Sequence, residues 1–472
     1  MSVLVSVEQK DFQQSSENHI NKNKILFVMD ATLAQGMTSL NTGAFLSAFA
    51  LYLGASYVVV GLLAALVPLA QMLQVPTTLL VEWYPKRKSI AVSALTIGRT
   101  AVLVCGFIPL FFIKSKILPI FFILYVIYVS LSNIGGCAFS TWFRDSFNPD
   151  TFSQVLTKRF IYATLLGAVV SFIGAYSLEL IKLHHILLLS YGYSAIFIFA
   201  GLFGLGSSWA LFNIHDSENK LLGEKTFSKN RTVSFIELFK EPFQNTVFRK
   251  VMLFNIIWNA VFNFANSFLP VFLMRRLGYS LLIVICLTVI NQFANVISFS
   301  SWKKFSNKYG NRSLLYLCIP LFFVSILSWF FAVEIGNAKV QWYFIVCLHI
   351  ISGIGVAGIN LCLTNLIFLS TPKGKATASL ALNSSLNGLV AGTAPILAGF
   401  VAELGTIFKV PSATLFENLH LPITKILAPT LQITGLDLVM IIAGTVGILS
   451  ATAIHFLIPS HLSNTDTISS PQ

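Results

Sequence analysis

The stretch Phe254–Pro270 reads FNIIWNAVFNFANSFLP, and its pattern decides what kind of fold this chain must have. Asn255, Asn259, Asn263 and Asn266 interrupt a run otherwise made mostly of Ile, Trp, Val, Phe and Ala. At roughly 100° per residue, a helix gathers these four into about 80° of arc. They form one polar stripe on an apolar rod. A bare amide is costly in hydrocarbon, so the stripe must face other helices or water and not lipid. Two readings follow. The asparagines either bond helix to helix, or they line a solute path with groups that both donate and accept hydrogen bonds. Four on one face exceed what gluing a single neighbour requires, which favours the path.

Working outward, the composition fits a rod in lipid. Hydrophobic residues make up 55% of the 472, charged residues 10%, and mean hydropathy is +0.77. Soluble domains carry about 25% charged residues. The chain therefore reads as a polytopic membrane protein, with 42 phenylalanines suited to a lipid-facing exterior. Cys105, Cys137, Cys286, Cys318, Cys347 and Cys362 all lie in apolar runs without C-x-x-C spacing. They read as packing residues, and no metal or other cofactor is expected. The first 24 residues are polar and lack an apolar h-region, so the first span itself is expected to direct insertion.

A span needs about 20 apolar residues. Twelve candidates fit: 25–53, 57–80, 89–112, 117–140, 160–182 and 187–213, then 250–273, 279–301, 313–334, 341–369, 376–402 and 436–458. The expected organisation is a polar tail (1–24), a six-helix bundle (25–213), a linker (214–249), a second six-helix bundle (250–458) and a tail (459–472). Within the linker, VSFIELFKEPF puts Phe235, Leu238 and Phe239 on one face, as in a short helix lying on the membrane surface. The segment 403–435 is long for an outer loop, and reads equally as a lid or as an idle insertion.

Charge orients the spans. Of the 31 Lys and Arg, 22 fall on the side shared by both termini and eight on the other, with Arg99 left inside a span. By the positive-inside rule both termini are cytoplasmic. The net charge of +13 is thus a topology signal that meets anionic lipid headgroups, and nucleic acid is not expected as a partner.

Few residues within the spans can carry chemistry. Asp30 lies about five residues into the first span, and an intramembrane carboxylate is by default a coupling candidate. A proton-loading role and a brace near the cytoplasmic mouth both fit it. Arg99 sits near mid-depth and needs a partner. Asp30 is the nearest acid in depth in the same half, and a static pair fits as well as a moving one. His349 in the tenth span can relay protons, or simply pack and hydrogen-bond. Periodicity puts Asp30, Met37, Thr38 and Asn41 on one face of the first span, and His349, Asn360 and Thr364 on one face of the tenth. Asn291, Asn295 and Ser298 in the eighth span are weaker cavity or glue candidates. So are Ser379, Asn383 and Asn387 in the eleventh.

The loops between the second and third helix of each half echo one another. LLVEWYPKRKS (79–89) and SWKKFSNKYGNRS (301–313) resemble the cytoplasmic G-x-x-x-D-R-x-G-R-x-K signature of the major facilitator superfamily. Glu82 stands where that family has its acid, with Lys86 and Lys88 after it. In the second copy Lys308, Gly310 and Arg312 match, while Asn307 replaces the acid. MDATLAQG (29–36) is similar to a first-span motif of antiporters in the superfamily, and residues 358–400 to its tenth-to-eleventh-span passage. The resemblance implies an all-α membrane fold of twelve transmembrane helices in two pseudo-symmetric six-helix halves. It also implies a central cavity lined by spans one, four, seven and ten, and loops that gate it. The fourth-span arginine of proton-driven branches has no counterpart in ILYVIYVSLSNIGGCAFS (123–140), so standard drug/proton antiport is not expected.

The leading expectation is a secondary transporter working by alternating access in the bacterial inner membrane, as a monomer, and not an enzyme. Asn41, Asn255, Trp258, Asn259, Asn263, Asn266, His349 and Asn360 would meet the substrate. Asp30 and Arg99 would couple transport to protons. A lining rich in amides and aromatic rings suits a small neutral polar or amphipathic solute. The alternative is a non-transporting receptor or assembly factor on the same fold. A lipid-acting enzyme built on Asp145 and Asp150 is a distant third.

Overall fold

In hydrocarbon each backbone N–H and C=O must find a partner within the protein, and continuous runs of about 20 apolar residues meet that need as helices. The computed structural model describes residues 2–74, 76–78, 84, 86–215, 244–371, 376–407, 410–411 and 432–458. Glu82, the expected surface helix at 235–239 and most of the segment 403–435 lie outside the described residues. Ten of the described helices are long and apolar enough to cross a membrane. In chain order the helices are α1 (Ser2–Asn41), α2 (Gly43–Tyr52), α3 (Tyr57–Ala70), α4 (Arg87–Phe111), α5 (Lys114–Asp145), α6 (Pro149–His184) and α7 (Leu189–Phe212). There follow α8 (Thr246–Asn266), α9 (Leu269–Arg275), α10 (Leu281–Tyr309), α11 (Asn311–Ala332), α12 (Ala338–Ser370), α13 (Ala376–Ile407) and α14 (Gly435–Leu457). A two-residue antiparallel ladder pairs Val410–Pro411 with Gln432–Ile433.

The expected span 57–80 leaves the α-helical path at Ala70 for a 3-10 turn over Gln71–Leu73, and two other expected spans are broken, each for a local reason. The segment 25–53 divides at Thr42 because Gly43 takes φ 56°, a left-handed conformation that suits glycine. The segment 250–273 divides after Asn266, since Pro270 offers no N–H and its ring would clash with the carbonyl four residues back. At the other end of the chain, α1 starts at Ser2, so the polar leader and the first span form one helix.

The helices gather into two compact units, residues 1–42 with 73–232 and residues 43–72 with 233–472. In the first, α4 packs on α5 and α7, and α1 on α6 and α7. An aromatic cluster seals one end of it, with Phe27 against Trp142, Phe143 and Phe147 at ring-centroid distances of 5.2, 4.9 and 5.4 Å. In the second, α10 packs on α12, α11 on α12 and α14, and α8 on α13 and α14. The early helix α3 also joins this unit, lying along α13. Glycine permits that approach. A Cβ at Gly61 would land on the Pro395 carbonyl, and Cβ atoms at Gly388 and Gly399 would come within 2.6 Å of the Pro68 oxygen and 2.7 Å of the Tyr57 oxygen.

Candidate functional site

Four helices of the first unit meet at one carboxylate. Oδ1 of Asp30 accepts from the Ser207 hydroxyl at 2.6 Å and faces Nη2 of Arg99 at 3.3 Å. Oδ2 faces Nη1 of Arg159 at 3.2 Å. Arg99 also donates to the Ser208 hydroxyl at 3.1 Å, and Arg159 to the Phe27 carbonyl. Asp30 and Arg99 are 3% and 4% exposed, so this is an ion cluster within the helix bundle and not a surface bridge. Two guanidiniums against one carboxylate leave a positive charge in excess. Aromatic faces offset part of its desolvation, since Arg159 lies 4.9 and 4.7 Å from the centroids of Phe139 and Phe143.

The chain builds the cluster from local signals. Asn148 caps α6 by accepting from the Thr151 N–H at 2.9 Å, and Pro149 fits the first helical position. Helix α6 therefore starts early, and Arg159 stands ten residues inside it. On α7, Gly204 leaves room for the Arg99 stem, as a Cβ there would sit 3.1 Å from the Arg99 Cβ. The expected Asp30–Arg99 contact is present. Arg159 lies one residue outside the expected span 160–182, so the third member was missed, and the N-cap Asn148–Pro149 was the signal that would have found it. Asn41 is wholly buried beside Tyr128, and its carbonyl accepts from the Tyr125 hydroxyl at 3.1 Å.

The asparagine stripe belongs to the second unit and divides by depth. Nδ2 of Asn255 donates to Oδ1 of Asn383 on α13 at 3.1 Å, a buried bond between helices. Asn259 donates to the Asn255 carbonyl and side chain at 2.8 and 3.0 Å, and Asn263 donates to the Asn259 carbonyl at 2.8 Å. Both are half-buried, and Asn266 is exposed. One turn beyond Asn383, Oδ1 of Asn387 is buried without a hydrogen-bond partner. Glue and solvent-facing amides therefore coexist on one helix. Trp258 packs into a ring cluster, 5.2 Å from Phe262 and 5.4 Å from Phe322. His349 is 4% exposed, stands edge-on to Trp329 at 5.1 Å and meets the Ile345 carbonyl through Nδ1. Asn360 and Thr364 are exposed on α12.

The two basic loops show a common plan. Lys88, the second residue of α4, donates to the Ile214 carbonyl just past the end of α7 at 2.7 Å. Arg312, the second residue of α11, donates to the His455 carbonyl near the end of α14 at 3.2 Å. Gly310 turns the second loop at φ 83°, and Lys308 rests over the Tyr309 ring. Arg87 pairs with Asp145, while Lys86 is exposed.

Residues 31–405 match the family model of the Major Facilitator Superfamily. No curated protein matches the sequence. Among solved structures, a D-xylose-proton symporter is similar with a TM-score of 0.67 at 14% identity, covering 93% of this chain and 98% of that one. The nucleoside transporter NupG gives 0.62 at 15%, covering 93% and 99%. A bacterial homologue of the human lysosomal transporter Spinster, in an inward-facing unoccupied conformation, gives 0.60 at 16%, covering 93% and 96%. At these identities the likeness is one of fold.

Proposed function

The chain belongs to the major facilitator superfamily, and from that premise we propose that it carries a small neutral polar or amphipathic organic solute by alternating access, coupled to protons through Asp30. Family and fold make it a multi-pass membrane transporter and not an enzyme. The finer reading rests on one observation, the buried Asp30 carboxylate held between Arg99 and Arg159. A proton on that carboxyl removes the partner of both cations. An unpaired buried charge costs about 3–5 kcal/mol, so the helices bearing the two arginines must rearrange or find another anion. Proton occupancy at Asp30 and the arrangement of α1, α4, α6 and α7 are thereby linked.

The solute class follows from neutral groups. Asn259, Asn263, Asn266, Asn360 and Thr364 are exposed or half-buried within the helices of the second unit, and all are amides or a hydroxyl. They offer donors and acceptors without net charge. The two six-helix halves would exchange access as a monomer in the bacterial inner membrane. Both termini would lie in the cytoplasm and the basic loops against anionic headgroups.

The test is accumulation of labelled neutral solutes, led by a pentose and a nucleoside, in proteoliposomes under a pH gradient. Wild type concentrates at least one of them. Asp30→Asn loses concentration against the gradient yet still exchanges solute downhill. Equal gradient-driven accumulation by both proteins would remove Asp30 from the coupling role.

A further inference from the structure

Helix α10 has three kinds of surface. At about 100° per residue, Leu287, Asn291, Ala294 and Ser298 share one side. Part of it packs on α12: Asn291 donates to the His349 carbonyl at 2.9 Å, and a Cβ at Gly353 would lie 3.1 Å from the Ala294 Cβ. Phe293, Val296 and Ile297 are 53%, 63% and 74% exposed and make a second side, apolar until Ser300 near the helix end, as lipid requires. Thr288, Gln292, Asn295 and Phe299 make a third, within about 60° of arc and about 120° round from the apolar side.

That third side is polar where neither packing nor lipid accounts for it. Thr288 and Gln292 are exposed and Asn295 is half-buried. Among the described residues, the side chains of Gln292 and Asn295 make no hydrogen bond, and the Thr288 hydroxyl returns to the Val284 carbonyl of its own helix. Two free amides facing acyl chains would each cost several kcal/mol, so this side meets water. No charged residue stands on α10 between Leu281 and Trp302. The row from Thr288 to Phe299 covers about 16 Å, at 1.5 Å per residue.

We propose that Thr288, Gln292 and Asn295 form a solute-binding surface for a neutral polyhydroxylated ligand, a sugar or a nucleoside, with the Phe299 ring against the ligand's apolar face. The assignment rests on the transporter reading above and adds residues to it. Each amide supplies both donors and acceptors, the pairing a hydroxyl needs. An aromatic face suits the apolar side of a sugar ring or a base.

The experiment places single cysteines in the full chain with its six native cysteines replaced by alanine. Gln292→Cys, Asn295→Cys and the lipid-side control Ile297→Cys are reacted with a membrane-impermeant, charged methanethiosulfonate, after size-exclusion chromatography shows each is folded. Cysteines on the wet side react at least about tenfold faster than Ile297→Cys, because the thiolate forms only in water. Saturating D-xylose or uridine, whichever wild type transports, slows labelling at residues 292 and 295 and leaves residue 297 unchanged. Labelling as slow as at residue 297 overturns the proposal, and is what a second copy of the chain covering this side would produce. Fast labelling that no transported solute slows also overturns it. The labelling ratio needs no flux, so a wild type that carries neither probe fails the transport reading separately. In that case binding is read by calorimetry: D-xylose or uridine bound by the wild type and lost in Gln292→Leu supports the surface, whereas a wild type that binds neither, or a variant that binds as the wild type does, overturns it.

Discussion

Arg159 reaches Oδ2 of Asp30 at 3.2 Å from α6, while Arg99 reaches Oδ1 of the same carboxylate at 3.3 Å from α4. The carboxylate is thus the shared partner of two cations, and its removal strands both. Asp30→Ala should lower unfolding stability in detergent by about 3–5 kcal/mol, the usual cost of an uncompensated buried charge. Arg159→Leu should cost less, because Asp30 keeps Arg99 and Ser207. In a double-mutant cycle, Asp30→Ala and Arg159→Leu should couple by at least about 1 kcal/mol. Additive losses would mean the 3.2 Å approach has no energetic content.

The bond from Asn255 to Asn383 makes a separate prediction, because it joins two buried amides on different helices. Removing one partner leaves the other desolvated and unpaired, at about 1–3 kcal/mol. Asn255→Leu and Asn383→Leu should each destabilise by that order, and the double variant should regain much of the loss. Asn263, half-buried on the same stripe, should behave otherwise. Asn263→Leu should leave the melting temperature near wild type and raise the apparent KM for solute. A double variant no more stable than the worse single would refute the pairing.

What the residues disclosed, and what they hid, follows from depth and from helix ends. The Asn255–Asn266 stripe and the mean hydropathy were enough for an apolar helical bundle, and depth alone paired Asp30 with Arg99. Arg159 escaped because a span was taken to begin where apolar residues begin, whereas α6 begins at the Asn148 cap and carries its arginine inside. Periodicity put Asn41 on a polar face without telling which way that face turns, and in the fold it lies against Tyr125 and Tyr128. Gln292 was invisible for the opposite reason. Its neighbour Asn291 gave the more obvious helical row with Asn295 and Ser298, and only the contact with His349 shows that Asn291 is spent on packing. The membership of α3 in the second unit depends on Gly61 meeting Pro395, a contact between residues far apart in the chain.

That approach of α3 to α13 should be sensitive to a single methyl group. The obstruction at Gly61 is the Pro395 backbone, which cannot swing aside as a flexible side chain would. Gly61→Ala should cost about 1–3 kcal/mol, the range for forced overpacking. Gly136→Ala is the matched control, since a Cβ there meets nothing within 4 Å and helix propensity favours alanine by about 1 kcal/mol. Thermal midpoints should move in opposite directions. A Gly61→Ala protein as stable as wild type would show that α3 and α13 can separate without cost.

The two basic loops offer a test of the internal repeat that does not depend on the substrate. Lys88 and Arg312 occupy the same second position of α4 and α11, and each donates to a carbonyl at the far end of its own unit's last helix. A cation there completes an orphan carbonyl and opposes the negative end of the helix dipole, together worth about 1 kcal/mol. If donation to the carbonyl is what matters, Lys88→Arg and Arg312→Lys should be tolerated, whereas Lys88→Ala and Arg312→Ala should each lower stability by about that amount. The double alanine variant should show the sum to within about 0.5 kcal/mol, because the two bonds share no partner. Charge reversal at either position should cost more than alanine, since a carboxylate repels both the carbonyl and the dipole. An alanine variant indistinguishable from wild type at one site, with a clear loss at the other, would break the equivalence of the two copies.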